Sequence, residues 1–443
     1  MIPYQVALIA WIPISCLIMA DRNNARGFAL AYLLGLALLP AGRDIAIPVI
    51  PDLNKDNVIG FGVLLGTIFF HPRLFDRFRL YLSDFLLLAC LQIAAMISLL
   101  NGYGPYDGVS QMLTMGVTFI LPIFLARLHL GTMHSIRTFL LVLILTAVVC
   151  APFALLEFRI SPQFHTWTYG YFQHVFQQHY RDGFWRPILF FSHALALGRF
   201  FAFAAFLALI PLRKDLVSLF GPVGNLFFLA PLAGLIASQS YGPVMLFTLL
   251  CAGYFVLRLI PSAGYVIPVL AASWFVVVML GFNPGYGIVD RIDEVNPERA
   301  DSLEYRLEAL EEYREVIIAR PWFGHGTWGS ARVEGRATDS QALISFLVRG
   351  FFGSAVYFAW WFVALHVAVQ TMARTRGTIF STRVAGIAAL VSIGLGVIAI
   401  DYALDLYLLL LLAGLFPVYG WLKTDPNILA LQPLSPVRPA VRA

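Results

Sequence analysis

Charge is the scarcest thing in this chain. Only 12% of its 443 residues are Asp, Glu, Lys or Arg, against roughly 25% in a typical soluble domain. A soluble fold of this length cannot hide so much apolar surface from water. The formal net charge is +5, with no single basic block, which argues against nucleic acid as a partner. Cysteine is scarce too. Cys16, Cys90, Cys150 and Cys251 all fall inside apolar runs. They show neither disulfide nor metal-ligand spacing and read as packing residues. There is no fixed-period repeat and no stretch that reads as a soluble domain.

What is abundant is apolar sequence: 59% of residues are hydrophobic and the mean hydropathy is strongly positive. A helix crosses the hydrocarbon core with about 20 mostly apolar residues. Runs suited to this lie near 4–20, 27–41, 57–71, 84–100, 110–126, 139–156, 190–211, 216–238, 242–259, 264–281, 341–368, 383–400 and 405–422. Those at 27–41 and 57–71 are short, and the last two need a tight turn around Asp401 to Asp405. The expected fold is therefore all-α, a polytopic transmembrane bundle of about 12–13 spans. Its sections are spans in 1–156, an aromatic and His-rich segment 157–190, spans in 191–281, a large loop 282–340, spans in 341–422, and a tail 423–443 whose four prolines suggest disorder.

Loop arginines and lysines set the direction. With residues 21–26 in the cytoplasm, cytoplasmic segments carry 16 Lys or Arg and the short outer loops carry Arg43 and Lys55. This puts the N-terminus in the periplasm and the C-terminus in the cytoplasm. The first run lacks a basic n-region and a cleavage site and reads as a retained span. The two long segments then lie outside, and loops of that length usually carry function.

The first of them holds Trp167, Tyr169, Tyr171, Phe172 and Trp185, with His165, His174 and His179. An interfacial aromatic belt accounts for the rings. It accounts less well for Glu157, Arg159, Arg181, Asp182 and Arg186, and rings beside charged groups also suit a sugar-binding surface. The histidine spacings do not place them on one helical face, which argues against metal. The second segment contains a helix with Asp301 expected as N-cap and Glu304 completing a capping box. Leu303, Leu307, Leu310, Val316 and Ile317 form its apolar face, and Pro321 stops it. The turn PWFGHGTWG follows. Glycines there let backbone approach closely. Ionisable residues inside spans are costly and mark function by default: Arg199 and Arg349 are the hardest to excuse, and Asp401 and Asp405 sit near helix ends.

Arg306 to Gly353 resembles the signature region of the O-antigen ligase/polymerase superfamily. That region has an amphipathic helix with an Arg, then P-x-x-G-x-G, matched by Pro321, Gly324 and Gly326, and a later G-x-x-G, matched by Gly350 and Gly353. Arg186-Pro187 leading into Phe190-Phe191-Ser192-His193 resembles the family's Arg-containing entry into a span. Ala237 to Gly242 resembles its small outer turn. Two positions depart from the pattern. Asp339-Ser340 stands where a His-Asn pair is usual, and Tyr241 where many members have Arg.

The resemblance implies an inverting, metal-independent and cofactor-free glycosyltransferase of the bacterial inner membrane. Its donor would be an undecaprenyl-diphosphate-linked glycan reached through the lipid bilayer, with a chain-length regulator and a flippase as pathway partners. Arg186, Arg199, Arg306, Arg314 and Arg349 are the candidates to neutralise the diphosphate, with Trp185 as a glycan-binding ring. Asp339 is the first candidate base, and His325 and His193 are the alternatives. The departures favour a polysaccharide polymerase over a ligase that moves finished glycan to another acceptor. A flippase is the reading from another class. Against it, no matched pair of broken helices appears.

Overall fold

The structure, a computed structural model, describes residues 1–424 apart from 48–50, 182, 284, 295, 296, 335, 337, 339 and 379, with backbone alone at 181, 298, 299 and 302. In chain order the helices are α1 (Tyr4–Ile18), α2 (Asn24–Leu38), α3 (Lys55–Phe70) and α4 (Asp84–Leu100). Next come α5 (Pro105–Met115) and α6 (Leu121–His129), joined by a π turn at Gly116–Ile120. Then follow α7 (Met133–Ile160), α8 (Phe164–Tyr169), α9 (Ala194–Leu209), α10 (Arg213–Phe220), α11 (Leu229–Ala237), α12 (Tyr241–Leu259) and α13 (Ala263–Met279). The last six are α14 (Tyr286–Asp293), α15 (Pro297–Ala319), α16 (Trp328–Ala331), α17 (Gln341–Arg374), α18 (Ser381–Val397) and α19 (Leu406–Thr424). Among the described residues the strands are one antiparallel pair, β1 (Tyr180–Arg181) and β2 (Phe184–Trp185). The fold is an all-α helix bundle. A bilayer leaves no water to satisfy backbone polar groups, so each apolar run must satisfy its own by coiling.

All thirteen apolar runs are helical, the eighth in pieces (α10, a 3-10 turn and α11). Five helices are long and apolar enough to cross a membrane alone: Pro105–His129, Met133–Ile160, Tyr241–Leu259, Gln341–Arg374 and Leu406–Thr424. A sixth span is possible in form if Ala194–Leu209 and Arg213–Leu226 are taken together, although they bend by 74° at their junction. The apolar helices α1, α2, α4, α13 and α18 are shorter, at 15 to 17 residues. Sections of the bundle pack through small residues, as membrane helices do. An added Cβ at Gly62 of α3 would lie 1.8 Å from Ser15 Oγ of α1, and one at Gly35 of α2 would lie 2.5 Å from Ile59 of α3.

The connections sort onto two ends of the bundle. At one end Ile2 donates its N–H to the Thr168 carbonyl, and Tyr171 donates its hydroxyl to the Ala41 carbonyl. There too Arg186 reaches the 238–240 turn, and Arg320 binds Asn101 in the α4–α5 turn. The chain start and both long segments therefore share this end. At the other end His71 bonds the Met19 carbonyl, and Arg137 of α7 and Arg383 of α18 grip Asp215 of α10 at 2.8 and 2.6 Å.

The helix of the second long segment begins at Pro297, one turn before the expected N-cap Asp301. Proline suits a first helical position because its missing N–H would have no partner there. It stops at Ala319, before Pro321, and Leu307, Leu310 and Ile317 are buried on one face together with Tyr313. Disorder expected for the tail falls outside the described residues.

Candidate functional site

Glu157 organises the first segment. It lies near the end of α7, fully buried, where an unpaired carboxylate would be costly. Its Oε1 accepts the Phe164 N–H at 3.0 Å, and its Oε2 accepts those of Ile188 and Leu189 at 2.9 Å each. One side chain thus closes the loop from residue 157 to 189. Trp167, Tyr180 and Phe184 stay exposed, as an aromatic belt requires. Trp185 is packed between Tyr180 and Phe176, with ring centroids 4.8 and 5.2 Å away.

Arg186 faces inward. Its Nη2 donates to Ser240 Oγ at 2.7 Å, and its Nε points at the Ser238 carbonyl at 3.4 Å. Two stretches picked out separately in the sequence therefore meet. Beside them lie three histidine rings. His174 is 4.5 Å from His193 and 5.4 Å from His179, centroid to centroid, in edge-to-face packing. Among the described residues no group of three or more His, Cys, Asp or Glu has the arrangement to hold a metal ion. His193 Nδ1 accepts the Leu195 N–H and caps α9. Burial lowers the His179 and His165 imidazoles to about 4, so both are neutral at pH 7.

Arg199 sits one helical turn and a half further along α9, 5% exposed. It donates Nη1 to Asp401 at 3.0 Å and Nε to Asp405 at 3.2 Å. Asp405 also accepts the Tyr407 hydroxyl at 2.8 Å. The start of α17 docks on the same α18–α19 turn: Ser340 Oγ donates to the Ile398 carbonyl, and Gln341 Oε1 accepts the Leu404 N–H. Next to this cage a cavity of about 320 Å³ opens, with Arg43, Asp44, Lys55, Asp56, Ser192 and Asp405 among its lining. Lys55 Nζ donates to the Phe190 carbonyl at 2.8 Å, tying the cavity floor to the Arg186 segment. Burial, with Asp52 nearby, raises the Asp44 carboxyl above its ordinary value.

The glycine motifs form a backbone lock. Within α17, Gly350 has φ 63° and ψ −172°, and the helix breaks there. The turn after α15 fills the break. His325 and Gly326 donate their N–H groups to the Leu347 and Val348 carbonyls at 2.8 and 3.0 Å. Phe351 and Phe352 donate theirs to the Pro321 and Trp322 carbonyls at 2.7 and 3.1 Å. A Cβ on Gly324 would come within 2.5 Å of the Gly350 nitrogen, and one on Gly350 within 2.5 Å of the Gly324 nitrogen. Glycine is needed on both sides because the two backbones touch.

The remaining sequence candidates have other partners. Arg349 donates to Ser345 Oγ at 3.2 Å and lies 4.8 Å from the Tyr357 ring centre. Arg314 donates to the Met279 carbonyl at 2.8 Å, clamping α15 to the end of α13. His325 Nε2 bonds the Val316 carbonyl at 3.0 Å. Arg306 is half-buried on α15. Asp339 lies outside the described residues; its neighbours Ser340 and Gln341 are placed against the Arg199 cage. The structure thus brings Arg186, His193 and Arg199 together, sets His325 and Arg349 at the broken helix, and holds Arg314 apart at the end of α13.

Sequence reading missed Arg43, Asp44, Lys55 and Asp56, taking the two cations only as loop charges that set direction. The signal available was the run Asn54-Lys55-Asp56-Asn57 at the mouth of an apolar helix. It also missed Arg336, which folds back onto α15 through Glu308 and Glu312 at 3.0 and 2.6 Å.

Residues 226–348 match the family model described as O-antigen ligase. The match spans the 238–240 turn, α15 and the Pro321–Gly326 turn, and ends just before the Gly350 break. No curated protein and no solved structure matches the chain.

Proposed function

We propose, from the match of residues 226–348 to the family model described as O-antigen ligase, that this membrane protein polymerises lipid-linked oligosaccharide repeats. The donor is a glycan on undecaprenyl diphosphate and the reaction takes place at the end of the bundle that carries both long segments, the periplasmic end. The observation that carries this reading is the meeting of Arg186 with the 238–240 turn of the matched region, beside a cavity bearing both cations and carboxylates. A cavity near 300 Å³ suits a sugar-sized ligand. Lys55 and Arg43 offer charge to a diphosphate, and Arg side chains bind such groups through two parallel hydrogen bonds.

In the proposed step the acceptor hydroxyl attacks the anomeric carbon of the donor sugar. The bond from that carbon to the diphosphate oxygen breaks, and the electron pair leaves with the diphosphate. The hydroxyl proton passes to a carboxylate, with Asp339 as first choice. The single displacement inverts the anomeric carbon. Buried cations stabilise the leaving charge more strongly than they would in water. Arg199 already serves Asp401 and Asp405, so its contribution is to position the turn, and Arg186 and the cavity cations face the diphosphate.

The glycans of a strain lacking the gene test the reading. Accumulation of single lipid-linked repeats supports polymerisation. Long free chains that fail to reach their acceptor point to a ligase, and loss of outward-facing lipid-linked repeats points to a flippase. With the gene restored, Arg186→Ala, Lys55→Gln and Asp339→Asn are each expected to stop chain extension while the protein still inserts. Extension at the wild-type rate in Asp339→Asn removes the base assignment.

A further inference from the structure

The second cavity lies at the opposite end of the bundle. α12 begins at the 238–240 turn and ends at Leu259; its 19 residues cover roughly 27 Å at 1.5 Å each. There a cavity of about 400 Å³ opens between the α12–α13 turn and the α17–α18 turn. Its polar lining is Arg258, Arg376 and Ser381; its apolar lining includes Phe255, Leu259 and Met372.

The two arginines differ from others at this end. Arg127 pairs with Asp84, and Arg137 and Arg383 share Asp215. Arg374 donates to the Leu422 carbonyl. Arg258 engages the Tyr254 ring and hydroxyl. Among the described residues no carboxylate pairs with Arg258 or Arg376, and no hydrogen bond or ion pair holds the Arg376 guanidinium. Two cations with no counter-ion among the described residues therefore line one concavity. Beside it the surface is strongly apolar, with Phe255, Val256, Leu259 and Ile260 exposed.

We infer that this cavity holds the headgroup of an anionic phospholipid, with its acyl chains against the exposed face of α12. The phosphate would take hydrogen bonds from both guanidiniums, and Ser381 offers a hydroxyl. Basic pockets between membrane helices suit such headgroups. The apolar walls select the lipid over free phosphate, since a hydrated ion gains nothing from Phe255, Leu259 or Met372, whereas glycerol and proximal acyl carbons lose water there. Occupancy does not depend on the chemistry proposed at the other end.

The test is native mass spectrometry of the full chain in detergent, titrated with phosphatidylglycerol and separately with phosphatidylcholine. The wild-type protein is expected to retain one phosphatidylglycerol, held at least about tenfold more tightly than phosphatidylcholine, with inorganic phosphate unable to displace it. Arg258→Gln/Arg376→Gln is expected to lose about tenfold or more in that affinity, given the attraction of each cation to anionic lipid. Arg73→Gln/Arg77→Gln, at exposed positions outside the cavity, should bind as the wild type does. Unfolding midpoints in lipid-free detergent confirm that each variant is folded. Equal retention by the cavity variant and the wild type overturns the inference. So does equal affinity for the two lipids, and displacement by phosphate reassigns the site to a free anion.

Discussion

Arg199 answers to two carboxylates, and this settles what its loss should do. Removing it takes from Asp401 and Asp405 the guanidinium that they share. Breaking a buried pair by deleting one partner typically costs about 3–5 kcal/mol. Arg199→Met is therefore expected to destabilise the protein by about that amount, measured by denaturant unfolding in detergent. Adding Asp405→Asn should return part of the loss, because it removes a charge that the first change left uncompensated. At Gly350 the reason is different: φ of 63° is strained for any L side chain, and a Cβ would strike the Gly324 nitrogen at 2.5 Å. Gly350→Ala is expected to lower stability by more than the strain alone, about 1–3 kcal/mol. Combined with Gly324→Ala, it should cost less than the sum of the two, since both break the same contact. Additive losses in a double-mutant cycle would contradict the contact.

At the scale of elements, the buried histidines of the 157–193 segment tie stability to pH. Burial puts His165 and His179 at about 4 in the folded protein, below an ordinary value of 6.5. The unfolded chain takes up protons near pH 6.5 that the folded segment refuses. Their contribution is thus full above pH 6.5 and falls as pH drops from there toward 4, with up to about two protons setting the slope. Unfolding midpoints between pH 7.5 and 4.5 should show it, and His179→Gln should make the decline shallower. This segment also marks how far sequence reaches. Helix positions were legible because apolar runs in lipid have one outcome. Arg199 was legible as a costly charge, and Glu157 as one that an aromatic belt does not explain. Their partners were not, because Asp401 and Asp405 lie 202 and 206 residues from Arg199. Such pairings depend on helix packing that no local pattern encodes. The glycine motifs were visible too, but nothing in their spacing said that one glycine breaks a span and the others fill it.

For the whole molecule, the two sets of end contacts predict which positions share a compartment. In a variant without its four native cysteines, Asp52→Cys and Gln177→Cys should react with an impermeant thiol reagent from one side of the membrane. Arg22→Cys and Arg77→Cys should react from the other. Labelling of Asp52→Cys and Arg22→Cys from the same side would contradict the alternation. The end that carries Met1, the aromatic segment and the large loop also carries the 238–240 and Pro321–Gly326 turns of the matched region. At the far end Arg137 and Arg383 are held by Asp215, Arg127 by Asp84 and Arg374 by the Leu422 carbonyl, and these four contacts brace the helices there.

The lock between the Pro321–Gly326 turn and the broken α17 has a consequence for how this protein can change. Its four hydrogen bonds join backbone to backbone, so they ask nothing of the side chains that the same residues carry. Trp322 projects from it largely exposed, and Phe351 and Phe352 are partly exposed. Glycine is fixed at two positions, and the neighbours are free to vary without detaching the loop. Such an anchorage lets a lineage alter what the loop touches while the frame beneath stays in register, so related chains can diverge in the surface of this loop before they diverge in shape.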